Sequence, residues 1–174
     1  MQVILIGYRG TGKSTVALLV AESLGLSWID ADDEIESRAG CTIKEIFAQD
    51  GEAAFRDLEQ QVVADLVERD AIVIAMGGGA ILREANRQAI TKAKAAGGVV
   101  WLQASVDSVY KRVTGDSTTG ARRPQLSGLS DYAEIEDLMK KRQPLYRECA
   151  DWEVATDAKT PPQIANEIVS LLVD

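Results

Sequence analysis

The sequence predicts a three-layer α/β protein, in which a parallel β-sheet lies between helices on both faces. Short apolar runs alternate with helix-forming segments along the whole chain, which is typical of successive βα units. The runs at residues 3–6 and 71–76 are apolar without interruption, as expected of strands buried on both faces. Glycine-rich segments at residues 7–12 and 77–79 follow these runs directly, so they lie at the strand ends where ligands collect in such sheets.

Five segments are predicted as strands because they are short, apolar and bounded by turn residues. They are residues 3–6, 26–30, 71–76, 99–102 and 152–156. A helical segment follows each of the first four strands, so the strands are expected to run parallel in one five-stranded sheet.

Helical spacing and end signals predict the intervening helices. Thr42 and Glu45 form a capping box for one of them, and Pro144 is expected to terminate the helix that carries Arg142. Four predicted helices have both ends assigned: residues 16–24, 43–48, 84–96 and 131–142. Four more are assigned by one end: a segment that ends at residue 39, a longer segment after Gly51, a segment that begins after Ser105 and a C-terminal segment that begins after Thr160. A glycine follows the helices that end at residues 24 and 39.

Composition restricts the class of protein. A chain of 174 residues is expected to form a single domain over residues 1–174. A net charge of −8 argues against nucleic acid as a partner, and no apolar run approaches the roughly 20 residues needed to span a bilayer. The first strand follows the initial methionine without a basic region, so it is expected to be core and not a signal peptide. Cys41 and Cys149 are expected to remain thiols in a reducing compartment, the cytoplasm.

Residues 7–14 match the phosphate-loop pattern G-x-x-x-x-G-K-[ST]. A strand precedes the pattern and a helix follows it, a context that disfavours the alternative of a glycine-rich turn with an accidental lysine. Backbone N–H groups of such a loop bind a polyphosphate, the lysine reaches the β- and γ-phosphates, and the hydroxyl ligates Mg²⁺. The residues expected to bind ATP here are Gly10, Thr11, Gly12, Lys13, Ser14 and Thr15.

The second and third strands also end in distinctive residues. Asp30 and Asp32 follow the second strand, and beside a Mg·ATP site one carboxylate can help hold the metal while the other accepts a proton. The alternative is a solvated acidic turn. The chain contains no histidine, so any general base must be a carboxylate. Gly77, Gly78 and Gly79 follow the third strand and are expected to let backbone approach a ligand closely.

Three arginines are suited to bind carboxylate or phosphate oxygens. Arg56 has Glu59 three residues further along its helix, where a carboxylate can hold its guanidinium. Arg142 lies near Pro144, and Arg123 lies in a glycine- and serine-rich segment, residues 115–130, that is expected to act as a lid. For each arginine considered alone, a surface salt bridge is the favoured interpretation.

Taken together, these motifs resemble the shikimate kinase family over nearly the whole chain. The resemblance rests on the phosphate loop, a D-x-D motif at residues 30–32, the run I-F-x-x-x-G-E-x-x-F-R-x-x-E at residues 46–59, G-G-G at 77–79, R-P at 123–124 and R-x-P-L-Y at 142–146. It implies a nucleoside-monophosphate-kinase-like fold with strand order 2-3-1-4-5, a substrate-binding region at about residues 31–65 and a lid at about 113–130.

The resemblance also implies a reaction and residue roles. The implied activity is transfer of a phosphoryl group from ATP to the 3-hydroxyl of shikimate, in aromatic amino-acid biosynthesis, by a cytoplasmic monomer with Mg²⁺. The implied catalytic residues are Lys13, Asp32 and Arg123, and Ser14 and Asp30 would hold the metal. Arg56, Arg142 and the glycines at 77–79 would bind shikimate with Asp32, and Arg112, Arg123 and Lys159 would contact ATP, with residues 157–160 as the adenine loop.

Two departures and two alternatives accompany the resemblance. Gln125 stands where family lids commonly have leucine, which would change the affinity for substrate, and Ala31 replaces a common Ser or Thr on a side chain expected to face away.

A kinase for another polyhydroxy acid such as gluconate would also use two arginines, although G-G-G and R-x-P-L-Y favour shikimate. A non-catalytic relative would be expected to have lost the loop lysine or the acid pair, and both are present.

Overall fold

The computed structural model describes residues 1–93, 97–115 and 131–173, and it confirms the predicted fold class. Its strands form one parallel sheet with the order β2-β3-β1-β4-β5. The strands are β1 Gln2–Ile6, β2 Ser27–Asp30, β3 Ile72–Ala75, β4 Gly97–Gln103 and β5 Trp152–Ala155.

Helices cover both faces of this sheet. In the described part of the chain they are α1 Lys13–Leu24, α2 Ala31–Ala39, α3 Ile43–Gln49, α4 Gly51–Leu66, α5 Glu84–Ala93, α6 Val106–Gly115, α7 Asp131–Cys149 and α8 Pro161–Val173, with a 3₁₀ turn at Ala80–Leu82. The capping box of Thr42 and Glu45 is formed as predicted, and Gly25 and Gly40 occupy the C-caps of α1 and α2.

The uninterrupted apolar runs reflect a core on each face of the sheet. Ile4 and Ile6 pack with α2, α3, α4, α5 and α7 on one face, whereas Val3 and Leu5 pack with α1 and α8 on the other. Because side chains alternate along a strand, a strand covered on both faces needs apolar residues at every position. A third, smaller cluster joins Tyr8 to α6 and α7.

Parallel pairing brings the predicted ligand-binding segments to one edge of the sheet. Asp30, the last residue of β2, is in register with Ala75, the last residue of β3. The amide of Met76 donates to the carbonyl of Leu5 in β1. Three segments therefore follow neighbouring strands at the same level of the sheet. They are the phosphate loop (residues 7–14), the acid pair (Asp30 and Asp32) and the triple glycine (residues 77–79).

One predicted boundary is wrong. Pro144 does not terminate the helix that carries Arg142, because α7 continues to Cys149. Arg142, Tyr146 and Cys149 share one buried face at helical spacing, and this tertiary packing compensates for the hydrogen bond that a mid-helix proline removes. The segment predicted as helix to residue 96 is helical to Ala93, residues 94–96 lie outside the described residues, and β4 begins at Gly97, earlier than predicted.

Both cysteines are free thiols, as predicted; Cys149 is buried and Cys41 is half-buried. Among the described residues, no helix combines the length and the apolar character needed to cross a bilayer.

Candidate active site

The phosphate loop has the predicted position between β1 and α1. Gly12 is the N-cap of α1 with φ of 88°, a left-handed conformation that glycine adopts without strain, and the helix begins at Lys13. The Thr11 hydroxyl donates to the carbonyl of Tyr8 at 2.8 Å and closes the loop on itself. The loop amides thus stand at a helix N-terminus, a favourable environment for phosphate.

Lys13 is folded back over this loop. Its ammonium group donates to the carbonyls of Gly7 and Tyr8, both at 2.9 Å, and the residue is only 8% exposed. These contacts hold the ammonium group beside the loop amides. A bound polyphosphate would compete with the two carbonyls for the ammonium group.

Ser14 and the acid pair adjoin the loop. The Ser14 hydroxyl donates to Oδ2 of Asp30, and the amide of Asp32 donates to Oδ1 of Asp30 at 2.9 Å, so Asp30 caps α2. Burial raises the pKa of Asp30, and the charge of Asp32 acts in the same direction, while the Ser14 hydrogen bond opposes both. A half-buried carboxylate with a raised pKa favours a nearby cation.

Arg56 is held in a buried position, not on the surface. It is 7% exposed, and its Nη1 donates to Oε2 of Glu59 at 2.6 Å, as the i, i+3 spacing predicted. Glu59 is itself 1% exposed. Glu52, one turn before Arg56 and exposed, makes a longer contact of 3.4 Å that the sequence analysis missed.

Arg142 is also buried, at 8% exposure. Its Nη1 donates to the carbonyl of Gly78 at 3.3 Å, and its guanidinium carbon lies 5.4 Å from the centre of the Tyr8 ring. Within the part of the chain that the structure describes, its Nε has no hydrogen-bond partner and no carboxylate forms an ion pair with it. A buried cation in such surroundings is well suited to an anionic ligand.

The triple glycine lies between the phosphate loop and both arginines. A Cβ atom at Gly78 would stand 2.9 Å from the amide nitrogen of Arg9, and one at Gly79 would stand 2.5 Å from Nη1 of Arg56. Neither glycine has a left-handed φ. Their role is therefore close approach: the absence of side chains lets the loop and a guanidinium pack against the same backbone.

Two aromatic residues support this arrangement and were not among the predicted site residues. The Tyr146 hydroxyl donates to the carbonyl of Gly78 at 2.5 Å, and its ring stacks on Trp101 with centroids 5.6 Å apart. Tyr146 follows Arg142 by four residues, a spacing that places both on one helix face and could have identified it.

The predicted nucleotide contacts are partly engaged within the protein. Arg112 donates to the carbonyl of Gly10 at 3.1 Å, so it braces the phosphate loop. Lys159 pairs with Glu167 at 2.6 Å. Asp157 accepts from the amide of Ser105 at 2.9 Å, which ties the segment after β5 to the start of α6.

Several predictions lie outside the described residues. Arg123, Pro124, Gln125 and most of the lid at residues 113–130 belong to that part of the chain.

Ala31, the other departure from the family pattern, lies in the described part of the chain and is buried in the core on the α2 face of the sheet.

Comparison with known proteins identifies the family. The family model described as shikimate kinase matches residues 9–173. A shikimate kinase from Rhodopirellula baltica is 45% identical over 165 residues, covering 95% of this chain and 87% of the relative.

Solved structures agree with this family match. The structure of shikimate kinase from Acinetobacter baumannii in complex with shikimate has a TM-score of 0.89 and 36% identity, covering 98% of this chain and 91% of that one. Shikimate kinase from Aquifex aeolicus has a TM-score of 0.80 and 35% identity, with 98% of this chain and 95% of that one covered. The chain belongs to the shikimate kinase family.

Proposed function

We propose that this protein transfers the γ-phosphoryl group of ATP to the 3-hydroxyl of shikimate, giving shikimate 3-phosphate and ADP. The observation that carries the proposal is the convergence of two buried arginines, Arg56 and Arg142, on the triple glycine beside a phosphate loop. This geometry provides a site for a carboxylate within reach of a site for a polyphosphate. The Acinetobacter relative was solved with shikimate, a molecule that has a carboxylate and several hydroxyl groups.

The two arginines bind the carboxylate of the acceptor in this proposal. Glu59 accepts from Nη1 of Arg56 at 2.6 Å, whereas the contact of Nη2 with the exposed Glu52 is long, at 3.4 Å, and would give way to a ligand carboxylate. Arg142 supplies a second planar fork from α7, and the resemblance implies that the N–H groups at residues 77–79 line the same pocket. Two guanidinium groups give the carboxylate charge-assisted hydrogen bonds and fix its orientation.

Asp32 orients the 3-hydroxyl and accepts its proton. The hydroxyl oxygen attacks the γ-phosphorus, the bond from that phosphorus to the β,γ-bridging oxygen breaks, and the electron pair leaves with ADP. The proton passes to the Asp32 carboxylate. The chain has no histidine that could take this role, and the family resemblance assigns it to Asp32.

Lys13 stabilises the charge on the phosphates, for which its ammonium group leaves the carbonyls of Gly7 and Tyr8. Arg123, from the lid, provides a second cation at the transferring group. These residues contribute positioning and charge neutralisation, and no covalent intermediate is needed.

Ser14 and Asp30 are the proposed metal site. A hydroxyl and a carboxylate provide the oxygen ligands that Mg²⁺ prefers, and burial of Asp30 favours a cation beside it, so the two residues fit the ion. Bound Mg²⁺ would neutralise part of the charge on the β- and γ-phosphates.

The remaining roles follow the family resemblance. We assign Arg112, Lys159 and residues 157–160 to the nucleotide side, residues 31–65 to the acceptor side and residues 113–130 to the lid of a single domain over residues 1–174. The protein is proposed to act as a monomer in the cytoplasm, and its two free thiols support a reducing compartment.

A coupled ADP-release assay with Mg·ATP tests the proposal, with shikimate, gluconate or no acceptor added. We expect turnover with shikimate alone, and Asp32→Asn should reduce kcat by at least about a hundredfold because the proton acceptor is removed. Turnover with gluconate instead would overturn the acceptor assignment. Absence of turnover from folded, ATP-binding protein would indicate a non-catalytic relative.

A further inference from the structure

Tyr8 connects the phosphate loop with the carboxylate-binding side of the site. It is the second residue of the phosphate loop, directly after Gly7, and it is only 3% exposed. Its carbonyl faces the phosphate side, while its ring faces α7 and the carboxylate-binding side. The roles assigned above leave this side chain without a function.

The backbone of Tyr8 is fixed by the loop. Its carbonyl accepts a hydrogen bond from the Thr11 hydroxyl at 2.8 Å, and Thr11 is only 1% exposed, so this bond remains when the Lys13 ammonium turns to the phosphates. The ring is therefore attached to a rigid element, which is the property required of a residue that positions another.

The Arg142 guanidinium lies over the ring of Tyr8, and the guanidinium carbon of the neighbouring Arg9 lies 5.8 Å from the centroid of the same ring. The guanidinium carbon of Arg142 lies 5.4 Å from the ring centroid, within the range of a cation–π interaction. The hydrogen bond from Arg142 to Gly78 is long, at 3.3 Å, and Nε of Arg142 has no partner among the described residues. Desolvation strengthens a cation–π contact, and Tyr8 and Arg142 are both more than nine-tenths buried.

The hydroxyl of Tyr8 has no comparable role. It forms no hydrogen bond with any residue in the described ranges, and the side chain borders a cavity of about 340 Å³ that Trp101 and Tyr146 also line. The aromatic face is thus the part of Tyr8 that the site uses.

We infer that Tyr8 is a positioning residue for the acceptor: its ring orients the Arg142 guanidinium toward the substrate carboxylate from a point fixed in the phosphate loop. This inference rests on the proposed function, because it requires Arg142 to bind a carboxylate. It predicts that the ring, and not the hydroxyl, determines the affinity for the acceptor.

The test compares Tyr8→Phe and Tyr8→Leu, with KM and kcat measured for shikimate and for its uncharged methyl ester. Tyr8→Phe should behave as the parent. Tyr8→Leu should raise the KM for shikimate about tenfold, leave the KM for the ester within about twofold, and change kcat less than KM. Tyr110→Leu is the matched control. Tyr110 packs in the same cluster as Tyr8, but its ring packs edge-on against Tyr132.

Arg142→Ala separates failure of this inference from failure of the proposed function. If Arg142→Ala leaves the KM for shikimate unchanged, the carboxylate site is wrong and the inference falls with it. If Arg142→Ala raises that KM but Tyr8→Leu does not, only the inference is overturned. An equal effect of Tyr8→Leu on shikimate and its ester would also overturn it. Tyr8→Met, whose flexible unbranched side chain adapts to an irregular gap but has no ring, is the second variant should Tyr8→Leu not fold, and it should raise the KM in the same way.

Discussion

Replacing Gly79 by alanine should displace Arg56 without disrupting the fold. The new Cβ would lie 2.5 Å from Nη1, 2.8 Å from Nη2 and 3.0 Å from Cζ of Arg56. Ordinary van der Waals contact begins at about 3.4 Å, so the guanidinium must retreat by roughly 1 Å. The obstructed atoms are the end of a flexible side chain, so the backbone has no need to move.

The displacement should be visible in kinetics for one substrate. A misplacement of about 1 Å in a substrate-binding group can reduce activity about a hundredfold, so we expect kcat/KM for shikimate to fall by that order and the KM for ATP to stay within about twofold. The assay is ADP release with each substrate varied in turn. The free energy of unfolding should fall by about 1–3 kcal/mol, because the buried contact of Arg56 with Glu59 is disturbed as well.

Two other glycine variants serve as controls. Gly78→Ala places its Cβ 2.9 Å from the backbone nitrogen of Arg9, so the phosphate loop must move and the KM for ATP should rise. Gly25→Ala strains the left-handed C-cap of α1, at the other end of the helix from the loop, and should destabilise the protein without altering either KM. If Gly79→Ala retains the parental KM for shikimate, Arg56 does not bind the acceptor.

Three further variants have distinct expected outcomes. Lys13→Met should reduce turnover at least about a hundredfold in the ADP-release assay, while circular dichroism shows an intact fold. Arg142→Lys should raise the KM for shikimate about tenfold with a smaller effect on kcat, because lysine cannot form a bidentate contact; an unchanged KM would remove Arg142 from the site. The Ser108 hydroxyl and the Ser105 amide lower the pKa of Asp157, so its contribution to stability is present above about pH 4 and is lost as the pH falls through the lowered pKa. Asp157→Ala should therefore reduce the free energy of unfolding in urea at pH 7 by no more than about 1 kcal/mol, because solvent screens the contacts of a partly exposed carboxylate. The difference between the two proteins should shrink as the pH falls below about 4, and a constant difference would contradict this explanation.

The phosphate loop could be predicted because its determinants are local in the chain, whereas the strand order β2-β3-β1-β4-β5 was implied only by the family resemblance. The loop pattern between a strand and a helix specifies its own backbone, and Gly12 has the conformation that this requires. The meeting of Asp30 with the triple glycine also followed, since parallel strands bring their carboxyl ends to one edge.

Burial of the two arginines could not be predicted from either residue alone. A helical arginine with a nearby glutamate is typical of exposed surfaces as well, and only packing against Gly79 distinguishes Arg56. The end of α7 was predicted wrongly because Pro144 is a local signal, whereas the helix is maintained by the distant contact of Tyr146 with Gly78. The aromatic environment of Arg142 depends on the same long-range contacts.

The central claim is that phosphoryl transfer goes to the 3-hydroxyl of shikimate, and the structure of the product tests it most directly. The protein is incubated with Mg·ATP and shikimate, and the product is examined by ³¹P–¹H correlation NMR. Besides the resonances of ADP, the account predicts one phosphate-ester resonance, coupled to the proton on carbon 3 of shikimate. A phosphorus coupled to the proton on carbon 4 or 5, or no phosphorylated shikimate from protein that binds ATP, would contradict it.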